Sequence, residues 1–295
     1  MRFVHDEQQS ALRPGIDMIP AIQLAAFDVD GTLTMDETYT GAVQTALQSL
    51  NRQDVITVVS TGRTLSETAQ LRACFPWIRY YILSNGACIW DKEQGVWIYE
   101  DLIPIATARR VYQALEPIDM MTEFYADGRA CLHPRCMENP GHYNARFLYD
   151  NLPGSRTPVP DLWDFLCARE KGVEKVNMFF HDPEDLTRAS ACCNLPGLSL
   201  IVSLHQSLEA NKANSSKGKA LKHLCGALQI DIARAAALGD GTGDISMFET
   251  VGWSMAMGNA PDDVKSRAHV VVPRCGEDGA AYAISHYLIR EDVAL

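Results

Sequence analysis

The chain has 295 residues, 47% of them hydrophobic and 21% charged, so it can bury the core of one large or two modest domains and is too apolar to be disordered. Against 26 Lys and Arg stand 37 Asp and Glu, a formal net charge of −11, which excludes a general binder of nucleic acid or anionic membrane. The first 22 residues carry acids and prolines, no stretch reaches the roughly 18 apolar residues of a membrane span, and the nine irregularly spaced cysteines read as reduced thiols, so a cytoplasmic protein is expected.

Short β-branched runs alternate with segments of helical spacing from the start of the chain. Gln23–Val29 reads as a strand, Gly41–Leu50 as an amphipathic helix, Val55–Ser60 as a second strand, Leu65–Cys74 as a helix and Tyr80–Ser84 as a third strand. This alternation predicts an α/β fold with a Rossmann-like parallel sheet, whose sites lie where the strands end. After Gly86 the texture changes. Cys88–Asp91 and Val96–Tyr99 read as a hairpin, Pro104–Leu115 as a helix, and Met121–Ala126 with Arg129–Leu132 as a hairpin around Asp127-Gly128. Val173–His181, a helix from Pro183 and Leu198–Leu204 complete an α+β pattern. From Lys217 the α/β rhythm resumes with a helix Gly218–Leu228, a strand Ala235–Leu238, a helix near Ile245–Val251 and strands Ser254–Met257 and Val270–Val272. The organisation expected is an N-terminal extension (1–22), a discontinuous α/β core (23–86 and 212–295) and an inserted α+β domain (87–211).

Chemistry concentrates where these strands end. In Phe27-Asp28-Val29-Asp30-Gly31-Thr32, Gly31 marks the exit into a loop that lets the second carboxylate bend back towards the first. Two close carboxylates repel unless a cation offsets them, and an all-oxygen pair suits Mg²⁺; taken alone, the same string also fits a helix N-cap with solvated acids. A second acidic cluster, Gly239-Asp240-Gly241-Thr242-Gly243-Asp244, matches neither a GxGxxG fingerprint nor a Walker loop, and alone it also fits a plain acidic turn. Adjacent parallel strands would bring Asp28, Asp30, Asp240 and Asp244 to one rim. Between the clusters lie Ser60-Thr61-Gly62-Arg63 and Lys217-Gly218-Lys219, which offer a hydroxyl, backbone N–H groups and an ammonium for phosphoryl oxygens, or simply a turn and a solvated cation.

The order DVDGT, S/T-G-R, Lys, GDxxxD resembles the haloacid dehalogenase (HAD) phosphohydrolase superfamily. The long insertion after Ser84-Asn85-Gly86, with Ser216-Lys217-Gly218-Lys219 and Met257-Gly258-Asn259-Ala260, is similar to its Cof-type branch, subfamily IIB, with a C2-type cap. The resemblance implies an Mg²⁺-dependent phosphatase acting on small phosphorylated metabolites such as sugar phosphates. Asp28 would be the nucleophile that forms an aspartyl-phosphate, and Asp30 the acid and then the base. Thr61 and the Gly62 N–H would orient the phosphoryl group and Lys217 would offset its charge. Mg²⁺ would be held by the Asp28 carboxylate, the Asp30 main-chain carbonyl and Asp240, with Asp244 orienting Lys217 or a water on the metal. One departure stands out: Gly243 occupies the position where Cof-type members usually carry Asn. Alternatives are a phosphosugar mutase of the phosphomannomutase type and a catalytically weakened phospholigand-binding protein. Specificity is expected in the cap, where Arg129, Arg135, Arg146, His133 and His142 suggest recognition of a polar or anionic leaving group; Cys131, His133, Cys136 and His142 match no strong zinc pattern.

Overall fold

The computed structural model describes residues 21–151, 154–202 and 207–289, so the expected N-terminal extension lies outside the described residues except at its last two positions. Two sheets organise the chain. The larger has eight strands in the order β14-β13-β12-β1-β2-β3-β4-β5. Its members are β1 (Leu24–Phe27), β2 (Ile56–Ser60), β3 (Tyr80–Leu83), β4 (Cys88–Asp91), β5 (Val96–Glu100), β12 (Ala235–Gly239), β13 (Trp253–Met257) and β14 (Val270–Val272). From β14 through β3 the pairs are parallel, and β4 and β5 add an antiparallel edge. The hairpin expected in the inserted domain therefore extends the larger sheet instead, because β4 pairs directly with β3 once the left-handed turn at Ser84 and Asn85 reverses the chain.

Central strands such as Leu-Ala-Ala-Phe are buried on both faces, which is why they read as continuous apolar runs. Ala25, Phe27, Val59 and Leu238 pack beneath the helix Gly41–Arg52 and the C-terminal helix Gly279–Ala283. Leu24, Ala26, Val58 and Ala237 face the helix Lys217–Ala227 through Leu221 and Leu224. The result is a doubly wound, three-layer sandwich with its loops at the carboxyl ends of the strands.

The inserted segment forms a six-stranded sheet in the order β10-β11-β9-β6-β7-β8, from β6 (Met120–Ala126), β7 (Arg129–Leu132), β8 (Arg156–Pro158), β9 (Lys175–Phe180), β10 (Leu198–Val202) and β11 (Ser207–Lys212). Strand alternation sorts its faces. Val176, Met178 and Phe180 of β9, with Leu208 and Ala210 of β11 and Phe124 of β6, bury against the helices Ile105–Leu115 and Pro183–Cys192. The alternate residues on the opposite face are Glu123, Tyr125, Lys175, Asn177, Glu209 and Asn211, and these reach the loops of the larger sheet. Arg156 bridges Glu67 of the core (2.8 Å) and Glu123 of the insert (2.9 Å), all three fully buried. Asn85 donates to Glu209 (2.8 Å) and to Asn211 (3.2 Å), and Ser84 donates to Glu174. No helix among the described residues is long and apolar enough to cross a membrane.

Candidate active site

The strand register sets the site. Phe27 pairs with Val59 on one side and Leu238 on the other, and the Asp28 N–H donates to the Leu238 carbonyl at 2.9 Å. Asp28 thus leaves the sheet between the ends of β2 and β12, the two strands that carry Thr61-Gly62 and Asp240. Gly31, at φ +77°, makes the loop after β1 possible: a Cβ there would stand 2.2 Å from Asp240 Oδ2, so only glycine lets this loop lie against that carboxylate.

Lys217 opens its helix at the same rim. Ser216 caps that helix, its hydroxyl accepting from the Lys219 N–H at 3.2 Å, and Gly86 (φ +92°) permits the close approach of the β3 turn, where a Cβ would sit 2.2 Å from the Ser216 carbonyl oxygen. The Lys217 ammonium donates to Asp28 Oδ1 at 2.6 Å and to Asp244 Oδ1 at 2.7 Å. The other Asp244 oxygen accepts from the N–H groups of Asp240 (3.0 Å) and Gly241 (2.9 Å). Asp244 is therefore committed on both oxygens to holding Lys217 and the β12 loop.

Carboxylate oxygens of Asp28, Asp240 and Asp244 all lie within 4.8 Å of one another. Burial, then the charge of Asp244, pushes the Asp28 carboxyl well above the usual carboxylate range even though Lys217 partly offsets them. The same two causes raise Asp240 to about 6. Burial works against the Lys217 ammonium, yet Asp244 and Asp28 together raise its pKa above the ordinary value. One lysine thus leaves the oxygen cluster under-neutralised, as expected of a site built for a hard divalent cation.

Of the four aspartates expected at the rim, three converge and the fourth is held elsewhere. The Asp30 side chain is 65% exposed, and its carboxylate is gripped by Arg63, whose Nε donates at 3.0 Å and whose Nη2 also reaches Asp30 and Glu37. Thr61 is fully buried, and its hydroxyl accepts from the Arg63 N–H at 3.2 Å, while Gly62 lines the open cleft beside it. Three side chains that brace the candidate site carried no role in the sequence reading. Arg63 and Glu37 are two; the S/T-G-R string displayed the first, and nothing local marks the second. The third, Asn259, donates to Asp240 Oδ2 and to the Gly31 carbonyl, both at 2.9 Å, tying the two acidic loops together.

The cleft, about 260 Å³, runs from Asp30, Gly62 and Arg63 to Tyr125, Lys175, Asn177 and Glu209 of the insert. None of the arginines expected to read the leaving group lines it. Arg146 is 79% exposed and paired with Asp150, Arg129 is exposed, and His133 and Arg135 border a separate cleft beside the helix Ile105–Leu115. His142 contacts Asp119 at the surface. The residues that face the site come instead from the polar alternation of β9 and β11, a period-2 signal visible in Lys-Val-Asn-Met-Phe and Ser-Leu-Glu-Ala-Asn.

The family described as haloacid dehalogenase-like hydrolase matches residues 25–284. A curated relative, the phosphatase YwpJ of Bacillus subtilis, is 28% identical over 90% of this chain and 100% of its own length. The HMP-PP phosphatase of Citrobacter koseri is 27% identical over 90% of this chain and 96% of that protein. Among solved structures, the HAD subclass IIB sugar phosphatase BT4131 superposes with a TM-score of 0.76 at 23% identity, covering 90% of this chain and 100% of that one.

Proposed function

This chain belongs to the haloacid dehalogenase-like hydrolases and is a phosphatase of small phosphorylated metabolites, and from that premise we propose that it cleaves phosphomonoesters, sugar phosphates or similar, through an Mg²⁺-dependent aspartyl-phosphate route. The observation that carries this reading is the Lys217 ammonium shared between Asp28 and Asp244, with Asp240 in the same oxygen cluster.

Asp28 supplies the nucleophilic carboxylate. Lys217, held by Asp244, fixes one Asp28 oxygen and presents positive charge to the phosphoryl group, so an anionic nucleophile can approach an anionic ester. As the Asp28 oxygen bonds to phosphorus, the bond to the leaving oxygen breaks and Asp30 gives that oxygen its proton. In the second half, water attacks the phosphoryl-aspartate, its proton passes to Asp30, and Asp28 is freed. Arg63 positions the Asp30 carboxylate at the cleft. The Gly62 N–H and Thr61 are assigned to the phosphoryl oxygens at the end of β2. Mg²⁺, held by the Asp28 carboxylate, the Asp30 main-chain carbonyl and Asp240, would supply further charge neutralisation during both displacements. The described insert, tied to the core through Arg156 and Asn85, acts as a cap that shields this chemistry from bulk water.

Phosphate release from p-nitrophenyl phosphate tests the assignment. Release that needs Mg²⁺, stops with EDTA and is lost in Asp28→Asn is expected; undiminished turnover by Asp28→Asn would overturn it.

A further inference from the structure

The cleft beside the proposed phosphate site is unevenly charged. Five carboxylates line it (Asp30, Asp36, Glu37, Glu67 and Glu209) against two cations, Arg63 and Lys175. Both cations are already engaged. Arg63 is shared by Asp30 and Glu37, while Lys175 sits 3.2 Å from Glu209 and 4.8 Å from the centre of the Tyr125 ring. Even with Arg156 behind Glu67, the cleft carries net negative charge on the side away from Lys217.

The two acceptors among its unmatched polar atoms point the same way, while the third atom is a donor on a guanidinium already held by two carboxylates. Among the described residues lining the cleft, three buried side-chain atoms have no partner: Asn177 Oδ1, Glu37 Oε2 and Arg63 Nη1. Asn177 is 6% exposed, and its amide is oriented by donation from Nδ2 to the Tyr125 hydroxyl at 2.9 Å, which leaves the carbonyl oxygen as an acceptor without a donor. A buried acceptor left unpaired costs on the order of 1–3 kcal/mol, so a ligand that donates to it is favoured over one that does not. Two residues from Asn177 on the same face of β9, Phe179 stands with its ring centroid 6.3 Å from that of Phe147 and, with Leu148, gives the cleft an apolar wall.

We propose that the leaving group is uncharged or cationic, presents N–H or O–H donors to Asn177, Glu209 and Glu37, and lays an apolar face on Phe147 and Phe179, and that a second anionic group is excluded. This deepens the phosphatase reading and rests on it. An anionic substituent would be desolvated beside Glu209 and Glu37, where both cations among the described lining residues, Arg63 and Lys175, already pair with carboxylates, a repulsive element that discriminates alongside the attractive ones.

Phenyl phosphates bearing a para aminomethyl or a para carboxylate group test the inference, because their leaving phenols are of similar acidity while the distal charge is opposite. The kcat/KM ratio, amine over carboxylate, is expected to exceed about tenfold in the unmodified protein. Glu209→Gln should shrink that ratio and Asn177→Asp should enlarge it. Equal or better turnover of the carboxylate compound, or a ratio that neither variant moves, overturns the inference. Unsubstituted phenyl phosphate separates the two levels. Mg²⁺-dependent release from it together with a carboxylate preference defeats only the leaving-group class, whereas no release from it defeats the phosphatase reading and this inference with it.

Discussion

Replacing Lys217 by Met removes the one cation shared by Asp28 and Asp244 while keeping most of the side-chain volume. The two carboxylates are left buried with oxygens within 4.8 Å of each other. At an effective dielectric of about 20, two unit charges at that distance repel by roughly 3–4 kcal/mol. That matches the ~3–5 kcal/mol typical of a buried ion pair broken by removal of one partner. In EDTA at pH 7.5, Lys217→Met should therefore lose about 3–4 kcal/mol in urea unfolding, a fall in melting temperature of roughly 6–15 °C. The deficit has a definite pH sign. Asp28 already stands above the unfolded value of 3.8, and losing Lys217 raises it further, so the folded variant binds more protons than the unfolded chain and loses stability as pH rises through that window. The deficit should shrink at pH 5, and adding Asp244→Asn to Lys217→Met should restore part of the loss, because only one buried charge then remains. A Lys217→Met protein as stable as the parent in EDTA at pH 7.5, or strictly additive effects in the double variant, would refute the electrostatic account of this site.

Three further outcomes are expected. Because Asp240 sits at about 6 without metal, Mg²⁺ must displace a proton at lower pH, so the melting-temperature increase on adding Mg²⁺ should be large at pH 7.5 and nearly absent at pH 5, as read by differential scanning fluorimetry. Gly243→Asn should fold with stability within about 0.5 kcal/mol of the parent, since a Cβ there meets nothing within 4 Å, and steady-state kinetics should show kcat/KM unchanged or raised. Arg156→Met leaves Glu67 and Glu123 buried without their cation, and should cost about 3–5 kcal/mol in urea unfolding and raise KM for p-nitrophenyl phosphate by loosening the cap from the core.

The convergence of the acidic strings was legible because their signal is local. Asp28, Asp240 and Asp244 each follow a strand, and parallel strands deliver their ends to one rim whatever the details of packing. The strands were legible for the same reason: burial on both faces makes them plain apolar runs. The strand β11, Ser-Leu-Glu-Ala-Asn-Lys, escaped notice because Glu, Asn and Lys are poor strand formers, and only pairing with β9 and β10 on both sides makes it extended. The hairpin of β4 and β5 was legible as a hairpin but not as part of the larger sheet, since choice of sheet depends on which edge is free.

Composition drew attention to the arginine- and histidine-rich stretch near 129–146 as the reader of the leaving group, and the fold turned those residues to the surface or to another cleft. What the sequence by itself determined was the acidic and basic groups that strand ends and a helix start carry to one rim, because strand, turn and residue type are all encoded within a few positions. What only the tertiary structure decided was which face of the inserted sheet meets that rim, and that Arg63, itself paired with Glu37, holds Asp30. Both depend on contacts between segments far apart in the chain, or between side chains that no local pattern pairs.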